Sequence, residues 1–195
     1  MKSITFVLSI ILLMGCNTEI EPTYDFPKYF IQEERAKLDQ LKSLFEEQIQ
    51  EHKDCKGMSL ENCYMAYLCY LQSFEVAGNL ILEMDPIRME QFLQLLEDPF
   101  YETIWEKRSI ELKMGGQNCY LYYNVNGRYF RFLQEMALED LYANQYTQQY
   151  LRIEDFSPYF VVKGVIDQMN LDYADESIQL MTAIHYLSVL KRNNQ

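Results

Sequence analysis

Between Asn62 and Leu82 the chain carries one charged residue, Glu75. A stretch so poor in charge belongs in the interior, because apolar surface left in water forfeits about 25 cal/mol per Å². Leu60, Tyr64, Tyr67, Leu71, Phe74, Gly78 and Ile81 recur at alternating steps of four and three, the spacing of one helical face. Ser59 stands at the N-cap position, where its hydroxyl can accept from a backbone N–H of the first turn. This helix is apolar most of the way round and is expected to be the central one. Asn62, Gln72, Ser73, Glu75 and Asn79 within it argue against a bilayer span.

Further helices are expected on both sides. From Phe30 to about Lys53, Leu38, Leu41, Phe45 and Ile49 form a narrow apolar stripe on a charged helix,. Asp85-Pro86, Asp98-Pro99 and Ser157-Pro158 each place a capping side chain before a proline at the first helical position, where its missing N–H costs nothing. They predict helices at about 86–97, 99–112 and 158–169. A last helix is expected from Asp175 to Lys191, with Leu180, Ile184 and Leu187 on one stripe and Lys191 and Arg192 complementing its dipole. The class is mainly α: a single bundle-like domain of six to seven helices over 30–195.

Gly115 to Phe132 reads two ways. Asn126-Gly127, flanked by aromatic runs, is a strong signal for a β-hairpin near 118–132. Cys119, Tyr122, Tyr123, Asn126, Phe130 and Leu133 also fit a helix face that continues to Leu141. The helix is preferred, because strict alternation fails at Tyr122-Tyr123.

The N-terminus is of another kind. Lys2 precedes an uncharged apolar run, Ser3 to Met14, closed by Gly15-Cys16. That is the layout of a secretory signal, too short to span a membrane. Leu13-Met14-Gly15-Cys16 resembles the lipobox of bacterial lipoproteins, although Met14 stands where a smaller residue is commoner. The resemblance covers the first sixteen residues and implies removal of 1–15 and acylation of Cys16. Several chains on one cysteine make a stable anchor where a single chain holds marginally. Asn17 after the cysteine implies, by the same resemblance, the outer membrane. Glu19 and Glu21 resemble the export signal of some surface lipoproteins, so both the periplasmic and the surface face stay open. Residues 16–29, with Pro22 and Pro27, are expected to be an extended tether.

Loss of Lys2 leaves 16 basic residues against 29 acidic ones, a net charge of −13. This balance argues against nucleic acid and against electrostatic docking on anionic lipid, both of which need clustered cations. It suits a basic protein partner. Four cysteines remain after Cys16: Cys55, Cys63, Cys69 and Cys119. An even number in an exported chain suggests two disulfides with three connectivities. Cys63 and Cys69 lie six apart on one helix, about 9 Å along its axis, and should not bond each other. Cys55–Cys63 would staple a corner beside Gly57 and leave Cys69–Cys119, worth roughly 2.5 and 4 kcal/mol by loop entropy.

Signs of chemistry are sparse. His52 is expected at an exposed helix end and His185 in the core; together they cannot assemble a zinc or di-iron motif. There is no nucleophile elbow, P-loop or dinucleotide fingerprint, so no catalytic residue, metal or cofactor is assigned. The chain is rich in aromatics, with 16 Tyr and 11 Phe. Tyr142, Tyr146 and Tyr150 recur four apart on one helix face, a weak candidate for a recognition patch. The expected function is a membrane-anchored, non-enzymatic protein-binding module of the bacterial envelope, such as an immunity-type inhibitor of an envelope-directed toxin. A structural or assembly lipoprotein of the outer membrane is the alternative, and an enzyme with an unrecognised site comes after it.

Overall fold

A computed structural model describes residues 26–76, 82–111, 117–153 and 171–193. The described chain is mainly helical, with one two-stranded antiparallel sheet between the fourth and fifth helices. α1 (Phe26–Tyr29) is one turn long and lies within the segment expected to be tether. α2 (Gln32–Gln50) buries Leu38, Leu41, Leu44, Phe45 and Ile49, the stripe read from its spacing. A 3-10 turn, Lys53–Cys55, and Gly57 then reverse the chain into α3 (Leu60–Val76). Ser59 caps α3, its hydroxyl accepting from the Asn62 N–H at 3.4 Å. Asp85 caps α4 (Pro86–Leu95), accepting from the Ile87 N–H at 2.9 Å.

Asp98 also caps as expected, accepting from the Phe100 N–H at 2.8 Å. The element it starts is different: a 3-10 turn over Pro99–Thr103, followed by β1 (Trp105–Glu111). A helix over 99–112 is therefore corrected. A cap and a proline fix where a helical turn begins, not how long it runs. β1 pairs antiparallel with β2 (Gln117–Tyr123), Trp105 opposite Tyr123 and Glu111 opposite Gln117. The preferred helix through 118–132 is likewise replaced by strand and then helix. The hairpin lies upstream of the Asn-Gly pair, because Gly127 is the N-cap residue of α5 (Arg128–Glu139). A lone hairpin is marginal in water. This one is held by Trp105, Leu121 and Tyr123, all buried.

α6 (Leu141–Ile153) folds back on α5 after a single residue, and α7 (Glu176–Asn193) closes the fold. α7, rather than α3, is the central helix: every residue from Ser177 to Leu190 is buried. Two of its buried hydroxyls fit because they bond within the helix. Thr182 and Ser188 donate to the carbonyls of Ile178 and Ile184 at 2.9 and 2.6 Å, so no hydroxyl of the pair is lost to a dry interior. α3 keeps Glu61, Asn62 and Cys69 exposed. The helix expected at 158–169 and its Ser157-Pro158 start lie outside the described residues. No helix among the described residues is long and apolar enough to cross a membrane.

Candidate functional site

The i, i+4 spacing of Tyr142, Tyr146 and Tyr150 does place them on one face of α6, and that face points inward. Their exposures are 4, 8 and 5%, which corrects their assignment to a surface recognition patch. They join a buried tyrosine cluster around the end of β2. The Tyr123 N–H donates to the Tyr150 hydroxyl at 2.6 Å. The Tyr123 and Tyr146 hydroxyls share a hydrogen bond at 2.7 Å, and the Tyr146 hydroxyl meets His185 Nδ1 at 2.6 Å. Tyr129 lies with its ring centroid 5.6 Å from that of Tyr123.

Burial holds the hydroxyls of Tyr123, Tyr129, Tyr142 and Tyr146 well above the usual value of 10, because a phenolate there would have no water,. At neutral pH the Tyr123 and Tyr146 hydroxyls are neutral and bond one another, and that of Tyr146 orients His185. A general acid or base needs a proton affinity near the working pH and access to substrate, whereas buried polar networks commonly fix one packing arrangement. His185 is thus the core histidine expected of its apolar neighbours. His52, expected in solvent, packs instead against Tyr70 and Tyr67 at centroid distances of 4.1 and 5.4 Å. Its place at a helix end gave no hint of those rings, which come from α3.

Cys16 lies outside the described residues. Cys55 and Cys63 are brought together, both buried, with each thiol donating to the other residue's carbonyl at 3.5 and 3.4 Å. Cys69 and Cys119 are exposed, on α3 and β2 respectively. Among the described residues no group of three His, Cys, Asp or Glu side chains could hold a metal ion.

The surface is built from ion pairs in which the acids outnumber their partners. Arg88 bridges Glu47 on α2 and Glu51 at its C-cap, at 3.4 and 2.9 Å. Lys37 meets Asp98 at 2.6 Å and Lys28 meets Glu135 at 3.0 Å. Arg128 grips both oxygens of Glu34, tying α5 to the start of α2. Hydrogen bonds from these cations lower the carboxyls of Glu34, Glu51 and Asp98 below their ordinary range, and one from Tyr29 is the largest cause at Glu135. These acids therefore stay charged to lower pH than an ordinary carboxyl does. Leu138 and Leu141, 83 and 70% exposed, flank Asp140 at the α5–α6 corner. No family model, curated protein or solved structure matches the chain.

Proposed function

We propose that this protein is a lipid-anchored module of the bacterial envelope that binds a basic protein partner and performs no chemistry of its own. The observation that carries the reading is the charge arrangement. With 29 acidic residues against 17 basic ones, and with Lys28, Lys37, Arg88 and Arg128 each bound to carboxylates, the field left over is negative. Such a field speeds the approach of a cationic surface and selects against acidic ones. Two further features support it. The leader and Cys16 form a membrane anchor in sequence, and the ten residues from Cys16 to α1 reach at most about 35 Å. His185 and the tyrosines around it are tied to one another in the core rather than offered to a substrate.

The test is co-purification of the full chain with its partner from envelope fractions in mild detergent. One tight partner of basic pI, released as salt rises from about 0.1 to 1 M, supports the reading. An inhibitor role further requires that this partner be a toxin, with its gene adjacent as the cheapest sign, whereas a resident envelope protein points to assembly. Recovery of no partner at nanomolar sensitivity sinks the binding reading. Separately, Cys16→Ala should move the protein from the membrane pellet to the supernatant or leave it uncleaved; unchanged mass and fractionation would remove the anchor.

A further inference from the structure

We infer that Cys55 and Cys63 are joined by a disulfide when the chain folds in the presence of a thiol oxidant. The 3-10 turn ends on Cys55, Gly57 at φ +77° turns the chain back, and Cys63 follows in the first turns of α3. Backbone bonds fix both flanks of this corner: Cys55 N–H to the His52 carbonyl at 3.0 Å, Met58 N–H to the Cys55 carbonyl at 3.1 Å, and Cys63 N–H to the Ser59 carbonyl at 2.9 Å. The two side chains are 3 and 1% exposed. Each sulfur lies within 3.5 Å of the other residue's carbonyl oxygen. Two thiols that each reach across to the other's backbone face the same gap, the proximity that a disulfide requires.

The exchange balances with a disulfide-bearing oxidant, either a thiol–disulfide oxidoreductase or oxidised glutathione. One cysteine thiolate attacks the oxidant's disulfide, forming a mixed disulfide and expelling one thiolate. The second cysteine thiolate then attacks the mixed bond, forming Cys55–Cys63 and releasing the other oxidant sulfur as thiolate. The chain loses two protons and two electrons, and the oxidant ends as two thiols. The order of events also follows. Burial, with the Cys63 thiol beside it, pushes the Cys55 thiol up to about 12, so thiolate is scarce once the corner has packed. The bond therefore forms as the corner assembles, and afterwards the same burial shields it from reductant. Cys69, exposed on α3 six residues beyond Cys63, is on the wrong side of the helix to compete.

The pairing rests on this geometry, while its occurrence in cells also rests on the envelope location proposed above, so two arms are needed. In the first, the full chain is taken from cells that carry its leader, blocked with N-ethylmaleimide in denaturant without reductant, and digested with trypsin. In the second, the full chain is reduced, then refolded in mild detergent with oxidised and reduced glutathione, and treated the same way. The expected product in both is the peptide Asp54–Lys56 linked to Gly57–Arg88 through Cys63, as located by fragmentation, with neither Cys55 nor Cys63 labelled. Reduction should then lower Tm by roughly 5–10 °C, and dithiothreitol should act slowly on the folded protein and quickly in urea. The bond in the refolding arm alone keeps the pairing and overturns the envelope location. Maleimide on both cysteines in both arms, or Cys55 linked to Cys69 or Cys119, overturns the proposal.

Discussion

Gly127 and Gly57 are both required, for different physical reasons. Gly127 has ordinary extended backbone, φ −73° and ψ 164°, so any residue could adopt it. What excludes a side chain is space: a Cβ there would lie 2.2 Å from the Thr103 carbonyl oxygen and 2.9 Å from that of Asn124. Gly57 has open space around it and a φ of +77°, where a Cβ is strained against its own backbone. Gly127→Ala should therefore cost about 2–3 kcal/mol in urea unfolding, since backbone cannot step aside as a flexible side chain can. Gly57→Ala should cost only about 1 kcal/mol; equal costs would contradict the distinction. The Asn-Gly pair is where the sequence misleads most. It marks a tight place, and nothing in the pair itself says whether the tightness is a turn's positive φ or a close approach by another segment.

Glu46 gives the residue scale its pH dependence. It is half-buried on α2, and burial raises its carboxyl above 4.5, helped by Asp39 and Glu176 and opposed by Lys42 and the Tyr64 hydroxyl. A carboxyl with a raised folded pKa holds its proton more tightly folded than unfolded. Its contribution is therefore complete below about pH 4.5 and is lost as pH climbs through the folded value. Glu46→Gln keeps an acceptor for Tyr64, whose hydroxyl lies 3.2 Å away. It should be more stable than the parent at pH 7 and equal to it near pH 4, measured as Tm against pH. A variant less stable at pH 7 would reverse the sign and refute the account.

At the scale of elements, what the sequence declares is helix starts and single stripes. Asp85 and Asp98 cap as their neighbouring prolines foretell, and the α2 stripe is buried as its spacing foretells. Two facts stayed hidden. β1, Trp105-Glu-Lys-Arg-Ser-Ile-Glu111, is mostly polar; it is a strand because β2 and the core hold one face, a tertiary cause that propensity does not contain. α7 shows one stripe in sequence yet is buried all round, because its hydroxyls hide in their own helix. Ser188 is the sharpest case, since it accepts from the Trp105 indole N–H at 2.8 Å while donating to the Ile184 carbonyl. It couples the central helix to the hairpin. Ser188→Ala should cost about 1–3 kcal/mol by stranding the indole donor, whereas Leu138→Ala, on the exposed end of α5, should stay within about 0.5 kcal/mol. Comparable losses from the two variants, read by denaturant midpoints, would argue against α7 as the element on which the hairpin rests.

The whole molecule is organised around buried phenols, and this sets how it fails in base. Tyr64, Tyr123, Tyr129, Tyr142, Tyr146 and Tyr186 each have folded values raised above 10, with burial as the first cause. They sit in one continuous core spanning α3, β2, α5, α6 and α7, with Tyr67 and Tyr186 hydroxyls 3.1 Å apart at one side and Tyr123 and Tyr146 at the other. None can ionise in place without burying a charge, which costs far more than the hydrogen bonds return. Below pH 10 all six are protonated folded and unfolded alike, so they make no demand. As pH rises past 10 the unfolded chain sheds their protons and the folded chain does not, so stability falls with a slope that grows with the number of phenols involved. The expectation is one cooperative transition above pH 10, in which the late rise of phenolate absorbance at 295 nm coincides with loss of far-ultraviolet circular dichroism. An amphipathic tyrosine surface would behave otherwise, titrating smoothly while the helices persist. If all 16 tyrosines titrate near pH 10 with the helical signal intact, the buried cluster is absent. The same experiment thus decides whether the aromatic richness visible in the sequence serves the core, as the packing of Tyr142, Tyr146 and Tyr150 indicates, or a partner.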